Sequence, residues 1–114
     1  MATSSILSSG PYQVLYDAIC SHTPVAAIYN DCFREFCPHV LGLNKEGKPQ
    51  VLGYQFGGES KSRPIEPDGS ASNWRCMLLD QLTDVHAVPG SWHTAPNHSR
   101  PQTCVKLVHI EVTD

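Results

Sequence analysis

The spacing of hydrophobic positions changes once along the chain. From Pro11 onward Tyr12, Leu15, Ala18, Ile19 and His22 recur at intervals of three and four, the repeat of one helical face, with Ser9 or Gly10 ahead of Pro11 as the start signal. This predicts one helix of about three turns, ended by Pro24. The chain then reads as a series of short runs rich in branched and aromatic residues: VAAIYN, FREFCPHVLGL, QVLGYQFG, WRCMLLD, DVHAVPG and CVKLVHIEV. In the last run Val108, Ile110 and Val112 alternate with His109 and Glu111, predicting one core-facing and one solvent-facing side.

The expectation is a mainly β (α+β) domain, a leading helix followed by five or six strands closed into a small barrel, because closure removes exposed sheet edges. Residues 1–10 are small and hydroxyl-rich without a period and read as a flexible lead-in to a single domain over 11–114. KEGK between the second and third runs reads as a hairpin turn. The segment 57–73, rich in Gly, Ser and Pro, is the one long loop, and such loops are often binding elements.

Composition narrows the function. A length of 114 residues suits one modest core, and a formal charge of −3 from 8 basic and 11 acidic residues argues against general affinity for nucleic acid. No apolar stretch approaches the roughly 18 residues of a membrane span. The five cysteines are an odd count, and the opening MATSSILSSG lacks the charged start and apolar run of a signal peptide. Together these read as a cytoplasmic protein with free thiols.

Two chemical readings compete with structural ones. Cys32, Cys37 and His39, with His86, His93 and His98, are acceptable ligands for zinc, but a lone C-x₄-C without a matching second pair is a poor zinc pattern. A buried Cys and a polar wall residue are the more economical reading, so no metal or other cofactor is expected. A cysteine nucleophile needs an adjacent base and an orienting group, and nothing sets one of the five cysteines apart. Phosphate-loop, dinucleotide and hydrolase motifs are absent from the sequence. The expected protein is not an enzyme.

Taken with the leading helix, the positions Val25, Ile28, Tyr29, Arg34, Pro38, Leu41 and Gly42, then Leu52 and Tyr54, then Trp74, Arg75, Met77, Leu79, Asp80, Leu82 and Val85, resemble the order of motifs in the WYL domain. The resemblance spans about residues 12–88. The triplet that names that family falls at Gln50, Val51 and Leu52, where only the leucine matches, and the usual basic residue after the "ld" pair is Gln81. With Gly53-Tyr54-Gln55-Phe56-Gly57-Gly58-Glu59-Ser60 ahead of a Trp-led strand, the chain is similar to the short, free-standing members that lack a helix-turn-helix. The resemblance implies an SH3- or Sm-like barrel that binds a negatively charged ligand, a nucleotide or a short single-stranded nucleic acid, as a sensor or sequestering protein.

The residues suited to that task are Arg34, Arg75, Lys61 and Arg63, whose cationic groups hold phosphate oxygens. Tyr54, Trp74 and Trp92 are candidate stacking platforms, and Gln55 can read a base edge. His39 has the opposite alternation to Arg34 and would face the other side of the strand, unless Pro38 marks a bulge. The alternative is a protein-interaction module that holds a second copy of the chain or another protein through exposed edges or the aromatic-containing SWHTAPNHSRP segment.

Overall fold

The computed structural model describes residues 10–60, 64–67, 69–95 and 104–112. The lead-in through residue 9, Lys61, Arg63 and His98 lie outside them.

Helix α1 spans Gly10–Ser21 and buries Tyr12, Leu15, Ala18 and Ile19. Its end is set by His22, at φ +54°, where the Thr23 N–H reaches back to the Ala18 carbonyl at 3.0 Å. That is a Schellman closure with His in the place that glycine usually takes, so His22 caps the helix and is exposed. Pro24 follows and leads into strand β1, Val25–Tyr29.

β1 turns back on β2, Cys32–Leu43, through Asn30 and Asp31, both at positive φ, the signature of a two-residue type I′ hairpin. β2 runs into β3, Pro49–Gly58, through a turn organised by Asn44, whose Oδ1 accepts the N–H groups of Glu46 and Lys48. β4, Trp74–Leu78, a 3-10 turn, Leu79–Gln81, and β5, Leu82–Ala87, follow. β6, Leu107–Glu111, closes the described chain.

The sheet is antiparallel throughout, in the order β4-β3-β2-β1-β5. β2 is long enough to serve two partners on one side, β1 with residues 32–36 and β6 with residues 40–43. The expected closed barrel is therefore corrected: β4 and β5 are the two ends of an open sheet, and no pairing between them closes it among the described residues. The 3-10 turn sends the chain straight from one end strand to the other.

Register sorts the side chains. Opposed residues in a ladder share a face, and neighbours along a strand alternate. Val25, Ala27, Phe36, Leu41, Val51 and Met77 face α1 and, with Leu15, Ile19, Leu79 and Leu82, form the main core. Val40 and Leu52 point to the other face and pack with Val105. Four irregularities interrupt the ladders. Phe56 is the extra residue opposite Glu35 and Phe36, and His39 is the extra residue opposite Gly53 and Leu52. His109 is extra opposite Leu41 and Gly42, and Asp84, at φ +55°, sits in the shift between β5 and β1.

The bulge at His109 overturns the simple alternation expected for the last run. Ile110 is half-buried and Val112 buried, whereas Val108 is 42 % exposed, because the extra residue reverses which side the chain presents. The thiol reading is also corrected. Cys76 and Cys104 are joined by a disulfide, and Cys20, Cys32 and Cys37 lie outside it. Partners 28 residues apart, one on β4 and one in the segment before β6, leave no spacing pattern to find. No helix among the described residues is long and apolar enough to cross a membrane.

Candidate functional site

Six of the described candidates divide between the two faces of the sheet. Arg34 alternates with Phe36 on β2, Gln55 is Phe36's partner on β3, and Arg75 is the partner of Gly53 on β4, so all three lie on the helix side. Tyr54 opposes Cys37 and Trp74, and these three occupy the other face together with His39.

Arg34 is 4 % exposed, set between Ala27 of β1 and Gly58 of β3. Gly58 is at φ +84°, and a Cβ there would strike the Phe33 carbonyl oxygen and lie 2.8 Å from the Arg34 Cα. Only glycine lets β3 curl over Arg34 this closely. The curl is fixed by the Glu59 N–H donating to the Phe33 carbonyl at 2.7 Å. It is fixed also by Gln55, whose Nε2 donates to the carbonyls of Gly57 and Glu59 at 2.9 Å each. With its amide nitrogen so engaged, Gln55 turns Oε1 to Arg34 and accepts from Nη1 at 3.2 Å. The guanidinium carbon stands 5.2 Å from the centre of the Tyr29 ring, within cation–π range. The Arg34 Nε is buried and makes no hydrogen bond, and no carboxylate among the described residues forms an ion pair with Arg34.

Arg75, 6 % exposed, has a different task. Its Nη1 donates to the carbonyls of Ser72 at 2.6 Å and Trp74 at 3.2 Å, and its Nη2 approaches that of Pro64 at 3.5 Å. The guanidinium fork thus ties the C-terminal end of the long loop to Pro64 in its middle. Asn73, which sequence reasoning passed over, does the same from a fully buried position. Its Oδ1 accepts the Glu66 N–H at 2.8 Å, and its Nδ2 donates to the Glu66 carbonyl at 2.9 Å and to the Tyr54 hydroxyl at 3.4 Å. An Asn closing a Ser-rich segment was the available signal, since Asn side chains commonly bond loop backbone.

The proposed stacking surfaces are packed ones. Tyr54 is fully buried, its hydroxyl accepting the Gly69 N–H at 2.7 Å. His39 is fully buried between Trp74, edge-on at 4.7 Å, and Trp92 at 4.9 Å; its Nδ1 meets the Cys37 carbonyl and its Nε2 the Thr94 hydroxyl. Pro38 does adjoin a bulge, but His39 still faces away from Arg34. The sheet also separates Cys32, on the helix side, from Cys37, whose sulfur accepts the His93 N–H at 3.2 Å. Among the described residues no group of three or more His, Cys, Asp or Glu converges to hold a metal.

An open cleft of about 550 Å³ lies at the Arg34 end of the sheet, lined by Asp31, Cys32, Gly58, Glu59, Ser60 and the Pro64–Ile65 pair. Gly58 is Arg34's register partner, Pro64 is bound by Arg75, and the Ser60 Oγ is buried without a hydrogen bond. A second, more enclosed and more apolar cavity of about 480 Å³ lies between Pro11, Tyr12, Lys48, Pro49, Leu79 and Leu82 and includes none of the candidates. The charged residues lining the cleft are Asp31 and Glu59, and the permanent cation of Arg34, with its open donor, lies beside the cleft and not in its lining. No family model, curated protein or solved structure matches the chain.

Proposed function

We propose that the chain is a non-enzymatic binding module for a small anionic ligand, a nucleotide or the phosphate of a short single-stranded nucleic acid, acting as a sensor or a sequestering protein. The observation that carries this reading is Arg34, a buried guanidinium with no carboxylate partner among the described residues and an Nε that makes no hydrogen bond. Burying a charge without a counter-charge is costly, and an anion entering from the adjoining cleft offsets that cost. On this reading the sheet is an open, bulged variant of the WYL-like, SH3/Sm-type architecture. Arg75 positions the loop beside the cleft, and Tyr54, Trp74 and His39 support the opposite face without touching the ligand.

Isothermal titration calorimetry with mononucleotides, short oligonucleotides and inorganic phosphate tests the proposal. Binding by the native chain that is lost in Arg34→Met, a change that keeps the side chain's length and removes its charge, is the expected result. Equal binding by both proteins, or none by the native chain, overturns it.

A second reading, a protein-interaction surface, is favoured by one feature. Ile28 and Phe33 are register partners on the β1–β2 hairpin, and both are exposed, Phe33 at 47 %. That surface needs no cation, so Arg34→Met would leave it intact.

A further inference from the structure

We infer that the Cys76–Cys104 disulfide is a redox-operated clamp that holds a strap, residues 104–106, over an apolar strip on the sheet face away from α1. Cys76 lies on β4 opposite Leu52, and Leu52 lies opposite Val40 on β2, so the three side chains form one row across that face. β6 continues the sheet beyond β2. From β4 to β6 is three strand spacings, about 14 Å. Cys104 nevertheless has its Cα 6.1 Å from that of Cys76, while two residues later the Lys106 N–H donates to the Leu43 carbonyl of β2 at 2.8 Å. The chain between them must therefore run over the face, and Val105, 3 % exposed, packs on Val40 and Leu52 as it crosses. Trp74 and Cys104 flank this small cluster, which is separate from the main core.

The two sulfurs are positioned to react, in contrast to the buried Cys32 and Cys37. Cys76 is exposed on an edge strand, and Cys104 lines an open cleft with Lys45 and Lys106. Neighbouring ammonium groups stabilise a departing thiolate, although Glu46 in the same cleft works against them. A small dithiol supplies the electrons. One of its thiolates attacks the Cys76 sulfur, Cys104 leaves as a thiolate, and the dithiol's second thiolate resolves the mixed disulfide. The reagent becomes a cyclic disulfide, having lost two electrons, and its two protons end on Cys76 and Cys104. Opening the bridge removes the constraint on a 28-residue loop and frees the strap to lift, uncovering Val40 and Leu52. A closed loop of that length is worth roughly several hundredfold when all of it unfolds; with β4 and β5 still folded the strap's opening gains only part of it, on the order of tenfold or more.

The test uses the whole chain, oxidised with glutathione disulfide and then treated with dithiothreitol at neutral pH. Alkylation mapped by mass spectrometry should show two thiols gained on reduction, at Cys76 and Cys104. Amide exchange at residues 105–107 should accelerate on the order of tenfold or more, with α1 and the β2–β3 ladder unchanged. Cys104→Ser and Cys76→Ser should each reproduce the reduced pattern without dithiothreitol. Absence of the bridge after oxidation, or unchanged exchange at 105–107 after reduction, overturns the inference. Unfolding of the whole sheet on reduction would also overturn it, by making the bridge a structural staple.

Discussion

At Arg34 a guanidinium that stays charged at every ordinary pH is held almost out of water, with one hydrogen bond to Gln55 and an aromatic ring alongside. Neither contact replaces what hydration supplies, so the residue makes a poor contribution to stability, and its binding and folding roles can be separated. Arg34→Met forfeits the Gln55 bond, at about 1 kcal/mol, yet relieves a buried charge, and its net stability should stay within about 1–2 kcal/mol of the native chain. Tyr12 presents the opposite case, a neutral group that becomes costly when it ionises. Burial first, and the neighbouring Tyr16 second, raise its pKa above the ordinary value of 10.0, and its hydroxyl bonds the His109 Nδ1. For an acid whose folded-state pKa is raised, the stabilisation is complete below the unfolded-state value and is lost as pH climbs through the folded-state value. Chemical denaturation between neutral pH and about pH 11 should therefore show stability falling above about pH 10. Tyr12→Phe should lose about 1 kcal/mol at neutral pH with the hydrogen bond, and should fall less steeply in the alkaline range. An unchanged alkaline slope would show that other groups set it.

β6 shows how one glycine decides whether an element can dock. A Cβ at Gly42 would collide with the Leu107 carbonyl oxygen and come within 2.9 Å of the Val105 side chain and 3.0 Å of the His109 nitrogen. Gly47, at φ +80°, has nothing within 4 Å, so alanine there meets only backbone strain. Urea unfolding should place Gly42→Ala about 2–3 kcal/mol below the native chain and Gly47→Ala about 1 kcal/mol below it. Fast amide exchange along 107–111 should appear in the first variant alone. Elements were the most legible part of the sequence, because periodicity reports directly on which side chains meet the core. The helix face of Tyr12, Leu15, Ala18 and Ile19 is the buried one, and each β-prone run overlaps a strand, though β5 begins two residues before DVHAVPG and ends at Ala87. What escaped were features that depend on contacts between distant segments. The bulge at His109 reverses an alternation that looked regular, since an extra residue in one strand is defined only against its partner. The Cys76–Cys104 bridge joins β4 to the segment that leads into β6, and an odd cysteine count concealed it. For the site, alternation of adjacent residues separates Tyr54 from Gln55 and Trp74 from Arg75 once β3 and β4 are known to pair. Before that pairing is known, all four read as one cluster.

For the molecule as a whole, an open sheet must gain its cohesion from something other than closure, and α1 supplies it. Leu15 and Ile19, 0 % and 2 % exposed, belong to the same cluster as Met77 from β4, Val51 and Phe36 from the middle strands, Ala27 from β1 and Leu82 from β5. Every strand on the main path of the sheet therefore contributes to a core that the helix completes. It follows that the helix cannot melt alone without leaving that core open to water, and that unfolding should be a single transition. Leu15→Ala removes the most central helix side chain and should cost about 2–5 kcal/mol, a large share of the roughly 5–15 kcal/mol typical of such domains. Far-ultraviolet circular dichroism and tryptophan fluorescence should keep a shared midpoint in that variant, displaced together to lower urea. Trp74 reports from the face away from the helix, whereas Trp92 packs on the main core with its ring 5.0 Å from that of His22 at the helix end. Coincidence of the circular dichroism with the Trp74 signal, isolated in a Trp92→Phe variant, would therefore mean that loss of the helix is felt across the sheet. A helical signal that disappears first, with Trp74 undisturbed, would instead mean that the sheet and the small Val40–Leu52–Val105 cluster stand by themselves.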